Sequence, residues 1–365
     1  LNKRWKEAST HVFVIAEIGI NHNGEIGKAL QLIESAAAAG ADAVKFQTYE
    51  ADSLVNKGVR LAKYQARSET LATDQLSMLK RMQLTHPEHQ QLQDFSNQCG
   101  VEFMSTAFDS ASLAFLTQDM RLKRLKIASG EITNGPFLHE HARIGLPIIL
   151  STGMATQKEI DEALGVIGFG LVGISDINRE QLENAWQDPS VIQALKQHVT
   201  LLQCTTQYPA PVHEANLRVL DLFRERYGVR VGFSDHTKGS TAAIVSVAMG
   251  ASVIEKHLTL DRTLPGPDHK ASLLPQEFAN MVQVIREAEA TLGIRRKEIQ
   301  LSEKENLDIA RKSLFASKRI LAGERLSSDN VEIKRPGSGC SPMLYWDILG
   351  TVTKKSINEG DPIKE

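Results

Sequence analysis

Eight short apolar runs, separated mostly by stretches with helical periodicity, constrain this chain more than any other feature. The runs are 13–18, 43–47, 101–104, 122–127, 147–150, 199–203, 229–233 and 252–255. Apolar positions recur at helical spacing in 26–39, 87–98, 113–116, 137–143, 157–167, 213–226 and 241–249, and a last helix is expected over 275–291. Strands joined through helices run parallel, because only a crossover brings the chain back in the same direction. Eight such units in succession predict an α/β fold, a TIM (β/α)8 barrel. Two segments interrupt the rhythm: 54–85, rich in Lys, Arg, Gln and Ser, and 168–189, both expected as excursions on the loop faces.

The texture changes after residue 292. The polar segment 293–306 reads as a linker, and 307–365 as a small, mostly β module with short hydrophobic runs between turns. The barrel, 1–292, is then the catalytic candidate. A chain of 365 residues with 42% hydrophobic residues can fill such a core. Its net charge of −2, without a long like-charge block, points away from nucleic acid and membrane surfaces and towards a small-molecule partner. Cys99, Cys204 and Cys340 are too few and too scattered for a disulfide framework or a Cys-rich zinc site, which fits a reducing cytoplasm. No run approaches the ~20 apolar residues that span a bilayer. The charged start, 1–7, has no signal-peptide core behind it. A cytoplasmic, soluble protein is expected.

In a barrel of this kind the reactive groups sit where strands end and βα loops begin. Polar residues stand at all eight ends: Glu17; Lys45 and Gln47; Ser105 and Thr106; Lys126, Ser129 and Glu131; Ser151, Thr152 and Gly153; Thr205, Thr206 and Tyr208; Ser234 and His236; Lys256 and His257. Two imidazoles, His236 and His257, at the ends of neighbouring strands suit one divalent metal, the alternative being two hydrogen-bonded loop histidines. Asn21, Asn23 and Gly24 are either a turn or a substrate contact. Lys45, Lys126 and Lys256, with backbone N–H groups of 151–153 and the hydroxyls of Ser129 and Ser234, offer charge and fixed donors to a phosphate or carboxylate. Glu17 and Glu131 are carboxylates able to orient sugar hydroxyls or move protons, and a metal polarises an aldehyde. The set suggests carbon–carbon bond formation at a carbonyl.

Eight motifs in order carry a resemblance: Ala16-Glu-Ile-Gly-Ile-Asn-His-Asn-Gly24, Val44-Lys-Phe-Gln-Thr48, Lys126-Ile-Ala-Ser-Gly-Glu131, Leu150-Ser-Thr-Gly-Met154, Cys204-Thr-Thr-Gln-Tyr-Pro209, Gly232-Phe-Ser-Asp-His-Thr237, Glu255-Lys-His257 and Gly266-Pro-Asp268. The chain resembles the bacterial sialic acid (nonulosonic acid) synthases from about residue 11 to its end, and Lys334-Arg-Pro-Gly337 is similar to their antifreeze-like (SAF) domain. The resemblance implies condensation of phosphoenolpyruvate with an open-chain N-acylated mannosamine, with Mn²⁺, or else Mg²⁺ or Co²⁺, and release of phosphate. It assigns the metal to His236 and His257, and phosphoenolpyruvate to Lys45, Thr106, Lys126, Ser129, Ser151 and Ser234. The sugar falls to Glu17, Gln47, Thr206, Tyr208, Asp268 and, in trans across a domain-swapped homodimer, Arg335. Glu131, Glu17, His236 and His257 are the implied catalytic groups.

N-acetylmannosamine, giving N-acetylneuraminate, is the expected acceptor. Thr206, where some of these synthases have Asn, and the run 268–272 make N,N′-diacetyllegionaminate synthesis from 2,4-diacetamido-2,4,6-trideoxymannose the alternative. An octulosonate phosphate synthase is a rival enzyme class, and a non-catalytic sugar-binding or ice-binding protein is a rival of a different kind.

Overall fold

Strand parity decides what this chain buries and what it presents. The computed structural model describes residues 11–66 and 72–364; the charged start lies outside them. Strands β1 (Phe13–Gly19), β2 (Ala43–Thr48), β3 (Glu102–Ala107), β4 (Leu125–Ile127), β5 (Ile148–Ser151), β6 (Val199–Cys204), β7 (Arg230–Asp235) and β8 (Val253–His257) pair in parallel in that order. β8 returns to β1 and closes the barrel. Successive side chains of a strand face opposite sides. Ile15, Ala43, Met104, Ile149, Leu202 and Val253 therefore form one layer inside the barrel. Val14, Val44, Phe46, Phe103, Ile127, Leu150, Phe233 and Ile254 belong to the larger core between strands and helices. Two residues further along, the inward positions are Glu17, Lys45, Thr106, Ser151, Cys204 and Glu255. One layer is oil and the next carries the chemistry.

The surrounding helices start where local signals place them. Thr85 and Glu88 cap each other ahead of Pro87 in His86–Gln98, and Thr156 with Glu159 does the same for Gln157–Val172. Several segments depart from the sequence expectation. The helix expected over 157–167 continues to Val172, because Gly168 and Gly170 are close-packing positions rather than breakers. A Cβ on either would come within 2.5 Å of Val191 Cγ1 or Ala142 Cβ. The helix Pro189–His198, capped by Asp188, was not expected. The stretch 213–226 becomes helical only at Val219, after a one-turn segment at Val212–Glu214 and Asn216 at φ +46. The run 122–127 is extended only from Leu125, and 113–116 straddles Ser110–Ala114 and a widened π-turn, Phe115–Asp119. Within the expected excursion 54–85, Gln75–Met82 is a capped helix whose Met78 and Met82 pack on Ile20.

The chain divides into two compact units at Gly293. The segment read as a linker, 293–306, contains more than half of the helix Leu301–Ala310. Beyond it, β9 (Ser313–Ala316) and β10 (Val331–Lys334) pair antiparallel, with further bridges at Ile320 to Ile357 and Arg325 to Val352. Leu314, Ala316, Ile320, Leu326, Val331, Cys340 and Ile363 give this unit a small core of its own. Among the described residues no helix is long and apolar enough to cross a membrane.

Candidate active site

Four charges lie in the C-terminal layer of the barrel interior: Glu17, Lys45, Lys126 and Glu255 are 2%, 4%, 3% and 5% exposed. Charges buried this deeply persist only when paired. Glu17 Oε2 contacts Lys45 Nζ directly, and Lys45 also donates to Thr106 Oγ1 at 3.2 Å. Lys126 donates to Ser151 Oγ at 2.8 Å. Glu255 lies between the two ammoniums, 3.6 Å from Lys126 and 3.8 Å from Lys45, and accepts the Ser234 hydroxyl at 3.0 Å. Burial pushes Glu17 up to about 7, against the opposing pull of Lys45. Burial lowers Lys126, which Glu255 counters. Although burial works against both ions, Glu17 and Glu255 hold Lys45 above its ordinary value, and Lys126 and Lys45 hold Glu255 below the usual carboxylate range.

One step nearer the mouth lie the imidazoles, with His236 and His257 ring centroids 5.5 Å apart. His236 Nδ1 is 2.8 Å from the Thr205 carbonyl, which can only accept, so Nδ1 carries the proton and Nε2 keeps its lone pair. His257 Nδ1 is buried without a hydrogen-bond partner, 3.8 Å from Asp268 Oδ2. Burial lowers His236 to about 4 and His257 well below its ordinary value, and raises Asp268 to about 7. Two neutral imidazoles, one whose Nε2 lone pair faces only the Ser234 hydroxyl at 3.3 Å and the other with an orphaned ring nitrogen, fit a divalent metal ion. Among the described residues no cluster of three or more His, Cys, Asp or Glu forms a metal cage. The Tyr208 ring packs 4.2 Å from His236 and 5.5 Å from His257.

Other expected groups fall around this centre. Ser129 Oγ accepts the Gly153 N–H at 3.0 Å and lies 3.2 Å from Cys204 Sγ. A Cβ on Gly153 would come within 2.9 Å of both, so the loop after β5 can approach them only as glycine. Gly19, at φ +52, similarly leaves room beside Glu17 and Gln47: its Cβ would sit 3.4 Å from Gln47 Nε2. Thr206 Oγ1 is buried without a hydrogen-bond partner. Glu131, half-buried in the loop leaving β4, accepts from Asn134 Nδ2 at 2.8 Å. Asn21 donates to the Leu258 carbonyl and to Ser272 Oγ, each at 2.9 Å, which ties the loop after β1 to the one after β8. Arg335 is exposed in the other unit, just past β10.

The expected convergence of Lys256 on the mouth is overturned. Its neighbours Glu255 and His257 face inward, so Lys256 faces the helices, fully buried against Asp235 at 2.9 Å. It also donates to the Thr237 carbonyl at 2.5 Å, while Asp235 Oδ1 accepts from Thr237 N at 2.8 Å. Ser105 faces outward too, joined to Thr48 Oγ1 at 2.7 Å and through it to His89 at 2.9 Å. The Thr152 and Thr205 hydroxyls bond the carbonyls of Leu202 and Glu214, so they brace loops. Glu255 and Cys204 were absent from the expected site. The signal for Glu255 was its place two residues before His257, on the same face of the strand.

Residues 32–297 match the NeuB family, and residues 311–365 the SAF domain. The N,N′-diacetyllegionaminic acid synthase of Campylobacter jejuni is 41% identical over 352 residues, 96% of this chain and 98% of that protein. The protein of the same name from Legionella pneumophila is 38% identical, over 97% of this chain and 93% of its own. Among solved structures, the sialic acid synthetase of Leptospira borgpetersenii in complex with citrate aligns with a TM-score of 0.66 at 31% identity, over 81% of this chain and 90% of that one. A barrel with this charged layer, an SAF domain and similarity along nearly the whole chain make this protein an enzyme of the NeuB family, a nonulosonic acid synthase.

Proposed function

We propose that the enzyme condenses phosphoenolpyruvate with 2,4-diacetamido-2,4,6-trideoxymannose and water to give N,N′-diacetyllegionaminate and phosphate. The observation that carries the chemistry is two buried lysines, with spare donors, directly beneath a pair of neutral imidazoles. The names of the Campylobacter and Legionella relatives favour the trideoxy sugar, the alternative on sequence, over N-acetylmannosamine.

In this reading Lys45, Thr106, Lys126, Ser129, Ser151 and Ser234 hold the phosphate and carboxylate of phosphoenolpyruvate. Glu17, Gln47, Thr206, Tyr208 and Asp268 position the open-chain sugar. A divalent metal, Mn²⁺ foremost, held by His236 and His257 would supply Lewis-acid polarisation of the aldehyde. Carbon 3 of phosphoenolpyruvate forms a bond to the aldehyde carbon, whose oxygen takes up a proton. Water adds to carbon 2 and loses a proton, and cleavage of the C–O bond expels phosphate. Glu131 and Glu17 would relay these protons. Arg335 of a second copy would contact the sugar acylamino group, which makes the working unit a domain-swapped homodimer in the cytoplasm.

Phosphate release from phosphoenolpyruvate with Mn²⁺, measured with both sugars in parallel, tests the assignment. A higher kcat/KM for the trideoxy sugar is expected. Preference for N-acetylmannosamine would reassign the enzyme to N-acetylneuraminate synthesis, and no release with either would end the condensation reading.

A further inference from the structure

The mechanism above leaves one buried carboxylate without a task. Glu255 Oε1 accepts the Ser234 hydroxyl at 3.0 Å, but Oε2, equally buried, accepts no hydrogen bond. Lys126 and Lys45 stand 3.6 and 3.8 Å from its two oxygens, beyond hydrogen-bond reach, so the attraction is Coulombic. A carboxylate that only braced the fold would close to contact, as Asp235 does with Lys256 at 2.9 Å.

The lysines place their hydrogen bonds elsewhere. Lys45 contacts Glu17 and donates to Thr106; Lys126 donates to Ser151 and, at 3.4 Å, to the Ile127 carbonyl. An ammonium has three N–H groups, so each keeps one donor for a ligand. Glu255 and Glu17 offset the charges of the two lysines, so an anion enters a layer whose positive charge is already largely countered. The cations are positioned by hydrogen bonds and neutralised by a carboxylate that does not block their donors.

We propose that Glu255 is an internal counter-ion that keeps Lys45 and Lys126 charge-balanced before substrate binds and that the substrate anion must compete with. It lowers affinity for phosphoenolpyruvate and eases the departure of phosphate, trading binding for turnover. The inference rests on the anion-site reading given above.

Glu255→Gln keeps the side chain's shape and its acceptor for Ser234 while removing the charge. Full-length wild-type and variant proteins are titrated with phosphoenolpyruvate and with inorganic phosphate by calorimetry in Mn²⁺ buffer. The variant is expected to bind both at least tenfold more tightly, with KM for phosphoenolpyruvate and kcat falling together as phosphate leaves more slowly. Unchanged or weaker binding by the variant, beside measurable binding by wild type, overturns the inference and leaves the anion site standing. Absence of binding by both proteins overturns the anion site and the inference with it. If Glu255→Gln does not fold, Glu255→Asp, which draws the carboxylate back by one methylene, is expected to tighten binding severalfold, and wild-type affinity or weaker overturns the inference.

Discussion

Lys256 and His22 show how burial sets what a side chain can do. The Asp235–Lys256 pair is fully buried on the helix side of the barrel, where breaking a pair leaves an uncompensated charge in low dielectric. Lys256→Met should lower stability by about 3–5 kcal/mol, read as a drop in urea midpoint; a variant as stable as wild type would show that the pair braces nothing. His22 is 1% exposed, and its Nδ1 accepts the Gly24 N–H at 3.0 Å, so it is held neutral, and burial lowers it from 6.5 to about 4. Between those values the unfolded chain binds the extra proton and the folded protein does not. Stability from this group is therefore complete above pH 6.5 and falls as pH drops towards 4. His22→Asn, which can still accept from Gly24, should shrink the stability loss between pH 7 and pH 4 by about 3 kcal/mol. Urea melts at both pH values check it, and an unchanged difference would mean that His22 does not titrate in that window. Residue type and strand position led to Glu17, Lys45, Thr106, Lys126 and Ser151, which all lie in the inward layer, but Lys256 and Ser105 were misplaced because strand-end lists ignore parity.

Parity and packing are properties of elements, and there the outcome was mixed. All eight barrel strands could be located because short apolar runs ending in polar residues have few other readings. The glycines of Gln157–Val172 misled, since glycine marks loops and also marks close helix contact. Sequence gives no way to tell which until the neighbour is known: at Gly170 it is Ala142 Cβ and the His139 carbonyl, the latter 3.0 Å from where a Cβ would sit. Alanine should gain about 1 kcal/mol in helix propensity there. Overpacking against a neighbouring helix typically costs 1–3 kcal/mol, and a backbone carbonyl cannot rotate away. The clash should win, so Gly170→Ala is expected to lower the melting temperature. A rise would mean that the two helices can move apart. The helix Pro189–His198 had its start signal in Asp188-Pro189, but that signal stood at the end of the segment 168–189 read as irregular, and no element was assigned between it and the run 199–203.

For the whole molecule, each unit owns a core and the barrel closes on itself through β1 and β8, so the barrel needs no strand from the other unit to satisfy its edges. Truncation after Gly293 should therefore leave a protein with a cooperative thermal transition. If Arg335 completes the sugar site, that protein releases no phosphate. Loss of activity alone would not say whether Arg335 acts within its own chain or on a second copy. Mixing the truncated barrel with full-length His236→Ala separates the two. The first has intact His236 and His257 but no C-terminal unit, and the second has the reverse defect. Service in trans restores phosphate release in mixed dimers, towards a quarter to a half of wild type depending on how the chains assort (an order-of-magnitude expectation from one competent site per mixed dimer). Service within one chain leaves the mixture silent, since no single chain then carries both halves of the site. Size-exclusion chromatography of the mixture confirms that mixed dimers form, so silence in their presence would retire the domain-swapped arrangement.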